Sequence, residues 1–98
     1  MAETAVAPRK IYGIVQMPSA IEAIQHANAA AQAPLFTAIF QLQTDPRPDH
    51  REPADEFGVG FSSITVRTTT PFYLITYQVD DTAGRVVIIA VSEARWKQ

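Results

Sequence analysis

No cysteine occurs among the 98 residues. That excludes a disulfide framework and thiolate chemistry, and it fits an intracellular setting. No apolar run approaches the roughly 20 residues that a bilayer-spanning helix needs, and the opening MAETAVAPRK contains no apolar block of the signal-peptide kind. The sequence therefore predicts a cytoplasmic protein without a membrane partner. An excess of basic residues is missing too: the formal net charge is −2, which argues against a surface given over wholly to nucleic acid, because phosphate binding draws its affinity from Lys and Arg. Glycine-rich phosphate loop, nucleophile elbow and clustered carboxylate pair are all absent. The two histidines, His26 and His50, have no companion at metal-ligand spacing, so neither metal nor cofactor is expected.

What is present is apolar and evenly spread. Hydrophobic residues make up 47% of the chain, enough for one globular domain with a modest core. Residues 1–9 have no periodicity and read as a flexible tail, with a single domain over residues 10–98. Charge is uneven: residues 1–56 hold seven acids and four bases, whereas residues 57–98 hold three acids and the bases Arg67, Arg85, Arg95 and Lys97. An electropositive site is thus expected on the C-terminal half, unless those four are simply solvated.

Local patterns give the elements. Lys10–Met17 alternates as a strand and Pro18 ends it. Ser19 and Glu22 form a capping-box pattern that predicts a helix running to about Gln32, rich in alanine. Pro34 suits the first position of a second helix, whose apolar stripe Leu35, Ala38, Ile39 and Leu42 is broadened by Phe36 and Phe40 into one wide buried face. The two most simply form an αα-hairpin. Residues 44–56, with three prolines and seven charged residues, read as a solvated loop. Phe61–Thr68 alternates again as a strand. Phe72–Val79 and Arg85–Val91 flank Asp80-Asp81-Thr82-Ala83-Gly84, a hairpin in which Gly84 supplies a positive φ. Ser92–Gln98 is left as a short tail. The order β-α-α-β-β-β predicts an α+β two-layer domain, an antiparallel sheet with a helical hairpin packed on one face.

That order, the "MPSAIEAI" entry to the first helix, the "LQTDP" exit of the second, and "FYLITYQVD" followed by "VVIIAV" resemble the RelE/ParE superfamily of bacterial toxins from type II toxin–antitoxin modules, over roughly residues 10–96. The resemblance implies a growth-inhibiting toxin, often tied to plasmid stabilisation, that is neutralised by a cognate antitoxin. In RelE-type members the activity is ribosome-dependent cleavage of mRNA; in ParE-type members it is inhibition of DNA gyrase. RelE-type enzymes place basic residues on the second and third strands, another at the end of the fourth, and a Tyr or His near the C-terminus. Here Ser63 and Thr65 stand where lysines are expected, Leu74 stands where an arginine follows the tyrosine, and no Tyr or His closes the chain. Only Arg67 and Arg95 match basic positions, and they are the candidates for catalysis at a scissile phosphate. The resemblance therefore implies a ParE-like, target-binding protein ahead of an mRNA endonuclease, with a non-toxic interaction module as a further reading.

Each candidate has a plainer role beside the functional one. Arg67 reads first as a solvated or antitoxin-paired side chain and only then as a phosphate clamp, and Arg95 beside Trp96 reads equally as a terminal anchor. Tyr73, Arg85, Trp96 and Lys97 are the candidates for partner binding, although Tyr73 shares a strand face with Tyr77 in a manner that also suits the core. A homodimer stays open.

Overall fold

The structure is a computed structural model in which residues 11–67 and 72–94 are described. Strand β1 (Gly13–Gln16) leads into helices α1 (Pro18–Gln25) and α2 (Ala29–Gln41). After a loop come a two-residue strand β2 (Glu52–Pro53), a 3-10 turn (Asp55–Phe57), and the long strands β3 (Phe61–Arg67), β4 (Phe72–Asp80) and β5 (Arg85–Ala94). One five-stranded sheet results, in the order β1-β5-β4-β3-β2. The α+β class and the meander of the last three strands are as expected from the sequence. The sheet is mixed, however, because β1 lies parallel to β5, with Gly13 opposite Arg85 and Gln16 opposite Ile88. A strand that leaves the sheet through two helices before returning has length enough for a parallel crossover.

The helices divide at a different place from the one their sequence suggests. Pro18, not Ser19, opens α1, and Met17 is its N-cap without a side-chain bond. The Ser19 hydroxyl instead donates to the Ile89 carbonyl at 3.2 Å, so it ties the helix to β5 and forms no capping box. The first helix ends at Gln25 because Asn28 starts the second: its Oδ1 accepts from the Ala30 N–H at 3.0 Å. Pro34 then falls inside α2, where it deprives the Ala30 carbonyl of its usual N–H partner. Gln32 supports the break from the other side, its Nε2 donating to the carbonyls of Ile24 and Ala27 at 3.3 and 3.4 Å. Those carbonyls lie at and just beyond the end of α1, and that of Ile24 also accepts from the Ala27 N–H at 3.1 Å.

The core lies between the helices and one face of the sheet. Ala20 and Ile24 of α1 and Ala31, Leu35 and Ile39 of α2 are buried against Ile64, Val66, Tyr73, Ile75, Tyr77, Val86, Ile88 and Val91, α1 over β5 and α2 over β3. Alternation carries β3 and β4, although Thr76, on the other face of β4, is buried too. In β5 the core residues are spaced by two and then by three, because the register slips: Tyr77 faces Ile88 while Thr76 faces Ala90, leaving Ile89 as the extra residue of a bulge. This explains how VVIIAV can be apolar throughout and still present one face to the core. The buried stripe of α2 is narrower than its sequence implies. Phe36 and Phe40 stack on each other at 6.4 Å but are 37% and 58% exposed, on the side away from Leu35 and Ile39.

Candidate functional site

The face of the sheet turned away from the helices is where side chains are free to act. On β3 it carries Ser63, Thr65 and Arg67, since Ile64 and Val66 point into the core. The ladder aligns these with β4 and β5 in rows: Ser63–Thr76–Ala90, Thr65–Leu74–Ser92 and Arg67–Phe72–Ala94. The first row continues onto β2 at Glu52, which pairs with Ser63, and its Thr76 is buried; the second row holds no charge. A row of hydroxyls and one leucine can hydrogen-bond a partner, but it offers neither a group that would take a proton at neutral pH nor a cation for a phosphate.

The candidate residues are therefore dispersed. Arg67 is exposed at the end of β3, next to a groove of about 490 Å³ between that strand and α2 whose wall includes Pro34, Thr37, His50 and Val66. Arg85 begins β5 at the opposite end, 3.9 Å from the Asp80 carboxylate. Phe72 pairs with Arg67 and Asp80 pairs with Arg85, and the steps from Phe72 to Asp80 along β4 span about 27 Å at ~3.4 Å each. One phosphate cannot bridge that distance, so the two arginines are not one site. Tyr73 is a correction to the sequence reading. It is 4% exposed and packs beneath the helices beside Ile75 and Tyr77, where its ring cannot meet a partner. Arg95, Trp96 and Lys97 lie outside the described residues.

Two polar arrangements have no counterpart in the sequence reading. Asp81, in the β4–β5 turn, receives two hydrogen bonds from Arg47, at 2.7 and 3.3 Å, and one from the Tyr12 hydroxyl at 2.7 Å. Losing a proton would set a second negative charge beside the carboxylate, so the hydrogen bond to Asp81 holds the Tyr12 hydroxyl above its ordinary pKa, and the same carboxylate holds the Arg47 guanidinium up. The Tyr77 hydroxyl donates to the Pro46 carbonyl at 2.8 Å, and burial pushes its pKa up to about 12. Together these bonds hold the loop after α2 onto the end of the sheet. No local signal marks them, because each joins residues more than 30 positions apart.

Beneath that loop, Arg51 donates to the carbonyls of Arg47 and Pro48 at 3.1 and 3.3 Å and lines a cleft of about 600 Å³ with Phe61, Ser62 and Gln78. Among the described residues no set of three His, Asp or Glu side chains could hold a metal ion, and no helix is long and apolar enough to cross a membrane.

No family model matches the chain, and no curated protein matches it significantly. Solved structures do. The isolated E. coli RelE toxin superposes with a TM-score of 0.74 at 18% identity, over 89% of this chain and 88% of that one. The toxin–antitoxin complex RelBE of E. coli gives 0.72 at 19% identity, over 87% and 99%. RelBE2 of Mycobacterium tuberculosis gives 0.68 at 22%, over 86% and 92%. The fold is that of RelE-type toxins. Within a RelE-type fold, the uncharged row through Thr65 stands on the face that the sequence resemblance associates with basic residues.

Proposed function

We propose that this chain is the toxin of a type II toxin–antitoxin module, held inactive by a cognate antitoxin, and that it acts by binding its target in the ParE manner, with DNA gyrase as the target to test first. The supporting observation is a RelE-type fold whose sheet face carries the uncharged row Thr65–Leu74–Ser92. Cleavage at a 2′-hydroxyl needs a base, an acid and cationic donors close together; binding needs only a complementary surface. Inducible expression in bacteria of the chain alone is expected to arrest growth, with loss of gyrase supercoiling activity in the purified system and intact mRNA. Continued growth, with no co-encoded protein binding the chain, would overturn the toxin reading in favour of an interaction module. Arrest with mRNA cleavage would overturn the ParE-like part.

A second reading is an endonuclease whose site has moved to Arg67, exposed at the end of β3, together with Arg95, which the sequence resemblance also matches to a basic position. An endonuclease site relocated there would lose its cleavage when Arg67 and Arg95 are both replaced by alanine, and unchanged cleavage would exclude it.

A further inference from the structure

The groove of about 490 Å³ beside Arg67 runs along the edge of the sheet rather than across a face. Ile64, Thr65, Val66 and Arg67 all line it, although alternate side chains of a strand point to opposite faces. What these four share along one line is the strand's edge. The facing wall is one side of α2, where Ala33, Pro34, Thr37, Ala38 and Gln41 recur at helical spacing. Ala33, Thr37 and Ala38 are short, and they leave space beside the strand.

The backbone of that edge is open. The Phe61 carbonyl accepts from the Ala54 N–H at 3.0 Å, so Phe61, and with it Ser63, Thr65 and Arg67, turns its N–H and C=O away from β4. β2 meets this edge only at Ser62 and Ser63. The chain before β2 turns off, since the Arg51 N–H donates to the Pro48 carbonyl at 3.0 Å. Among the described residues, then, nothing pairs with the outward N–H and C=O of Thr65 and Arg67. Nor does any carboxylate line the groove, and the exposed Arg67 has no ion pair with a described residue.

We propose that this edge takes an extended, acidic segment of a partner protein as a further antiparallel strand, in line with β2. Residues of that strand opposite Thr65 and Arg67 complete the open backbone bonds. Their side chains lie on the face turned away from the helices, where a carboxylate opposite Arg67 forms a cross-strand ion pair. The residues between them point toward α2 and are β-branched and apolar, filling the space that Ala33, Thr37 and Ala38 leave. A second copy of this chain suits the edge less well. Pairing two such edges antiparallel about Val66 puts both Arg67 side chains on one face with no carboxylate between them. The inference rests on the edge and the groove, not on the toxin reading, and it stands whether or not the chain arrests growth.

The probe is the peptide acetyl-Val-Glu-Val-Thr-Val-amide, titrated into the isotope-labelled full chain and followed by NMR. Saturable binding is expected, with the backbone amide signals of Thr65 and Arg67 moving and their hydrogen exchange slowed. Methylating the peptide's glutamate and threonine nitrogens, which face β3, should abolish binding, whereas methylating the nitrogens of the valines that follow them should not. Lysine in place of the glutamate should weaken binding about fivefold, and Arg67→Gln should remove most of that difference. Thr65→Pro deletes an outward N–H at a position where an edge strand tolerates proline, and it should weaken binding about tenfold; melting curves that match wild type establish that both variants are folded. No saturable binding at millimolar concentration, equal effects of the two methylation patterns, or a preference for glutamate that survives Arg67→Gln would each overturn the proposal. So would shifts centred on Leu74 and Ser92. Concentration-dependent shifts of Thr65 and Arg67 in the chain without peptide would put a second copy on the edge and overturn it as well.

Discussion

Replacing Tyr77 by phenylalanine isolates the bond that holds the loop to the sheet. Tyr77 is 0% exposed, and its hydroxyl donates to the Pro46 carbonyl at 2.8 Å. Tyr77→Phe keeps the ring packing, so its effect at neutral pH is one hydrogen bond and a partly buried carbonyl left without its donor, about 1–2 kcal/mol. In a domain of this size that lowers the melting temperature by about 4–8 °C per kcal/mol. The pH dependence adds a sharper signature. Burial, the largest cause, raises the hydroxyl to about 12, while Arg51 and Arg47 pull it partly back. Above the unfolded value of about 10 the unfolded chain releases the proton that the folded chain keeps, so stability falls with rising pH between about 10 and 12 and is fully retained below 10. Two pKa units correspond to about 2.7 kcal/mol; screening through the exposed loop reduces the working figure to about 1–2 kcal/mol. Urea unfolding of both proteins at several pH values measures the difference between them, in which the titration of Tyr12 and the lysines cancels. The difference should be constant up to about pH 10 and shrink toward pH 12. A difference below about 0.5 kcal/mol at neutral pH, or one that does not change with alkaline pH, would refute this account of the loop.

Asp81→Asn should return the Tyr12 hydroxyl toward its ordinary pKa, seen as an earlier tyrosinate absorbance step. Through the exposed Arg47 pair it should lower stability by less than about 1 kcal/mol, an effect that vanishes in high salt. Asn28→Ala removes the N-cap of α2 and is expected to destabilise by about 1 kcal/mol in chemical denaturation, whereas Ser19→Ala, which leaves α1 uncapped as before, should have little influence on helix content. Leu35→Ala, at a position 0% exposed between α2 and the sheet, should cost about 2–5 kcal/mol by the same measurement.

The strands and the hairpin were legible because their signals are local. Gly84 takes φ 68° at the end of the turn, where the sequence asks for it, and β3 and β4 alternate in period two as their residues do. The helix boundary was misread because two local signals compete. Pro34 marks a good helix start, but Asn28 marks one too, and the Gln32 contacts to the end of α1 favour the earlier break in a way that only the folded chain reveals. The position of β1 beside β5 was illegible for a different reason: the direction in which an edge strand joins a sheet depends on where the helices deliver the chain, not on the strand's own residues. The 44–56 segment was read as solvated from its charge and prolines. Most of it is, yet Pro48 and Ala54 are buried, and the Ala54 N–H donates to the Phe61 carbonyl at 3.0 Å, extending the sheet by the short β2. Among the site residues, Arg67 and Arg85 emerge exposed and far apart, while Tyr73 obeys the period-two rule and goes inside with its neighbours.

The same period-two rule explains how a RelE-type fold can persist at 18–22% identity while the chemistry of its exposed face changes. Every core residue of β3 and β4 alternates with one that faces away from the helices: Ile64 and Val66 with Ser63, Thr65 and Arg67; Tyr73, Ile75 and Tyr77 with Leu74, Thr76 and Gln78. The folding energy lies in the first set, at roughly 1.5–3 kcal/mol for each large side chain buried. The second set is less buried, apart from Thr76, so residues such as Thr65 and Arg67 can change without disturbing the sheet. Likeness of fold therefore transfers the scaffold and the open face, but not what the face does. The open face here, with Glu52 in the Ser63 row, no charge in the Thr65 row and Arg67 at one end, must be judged by its own side chains.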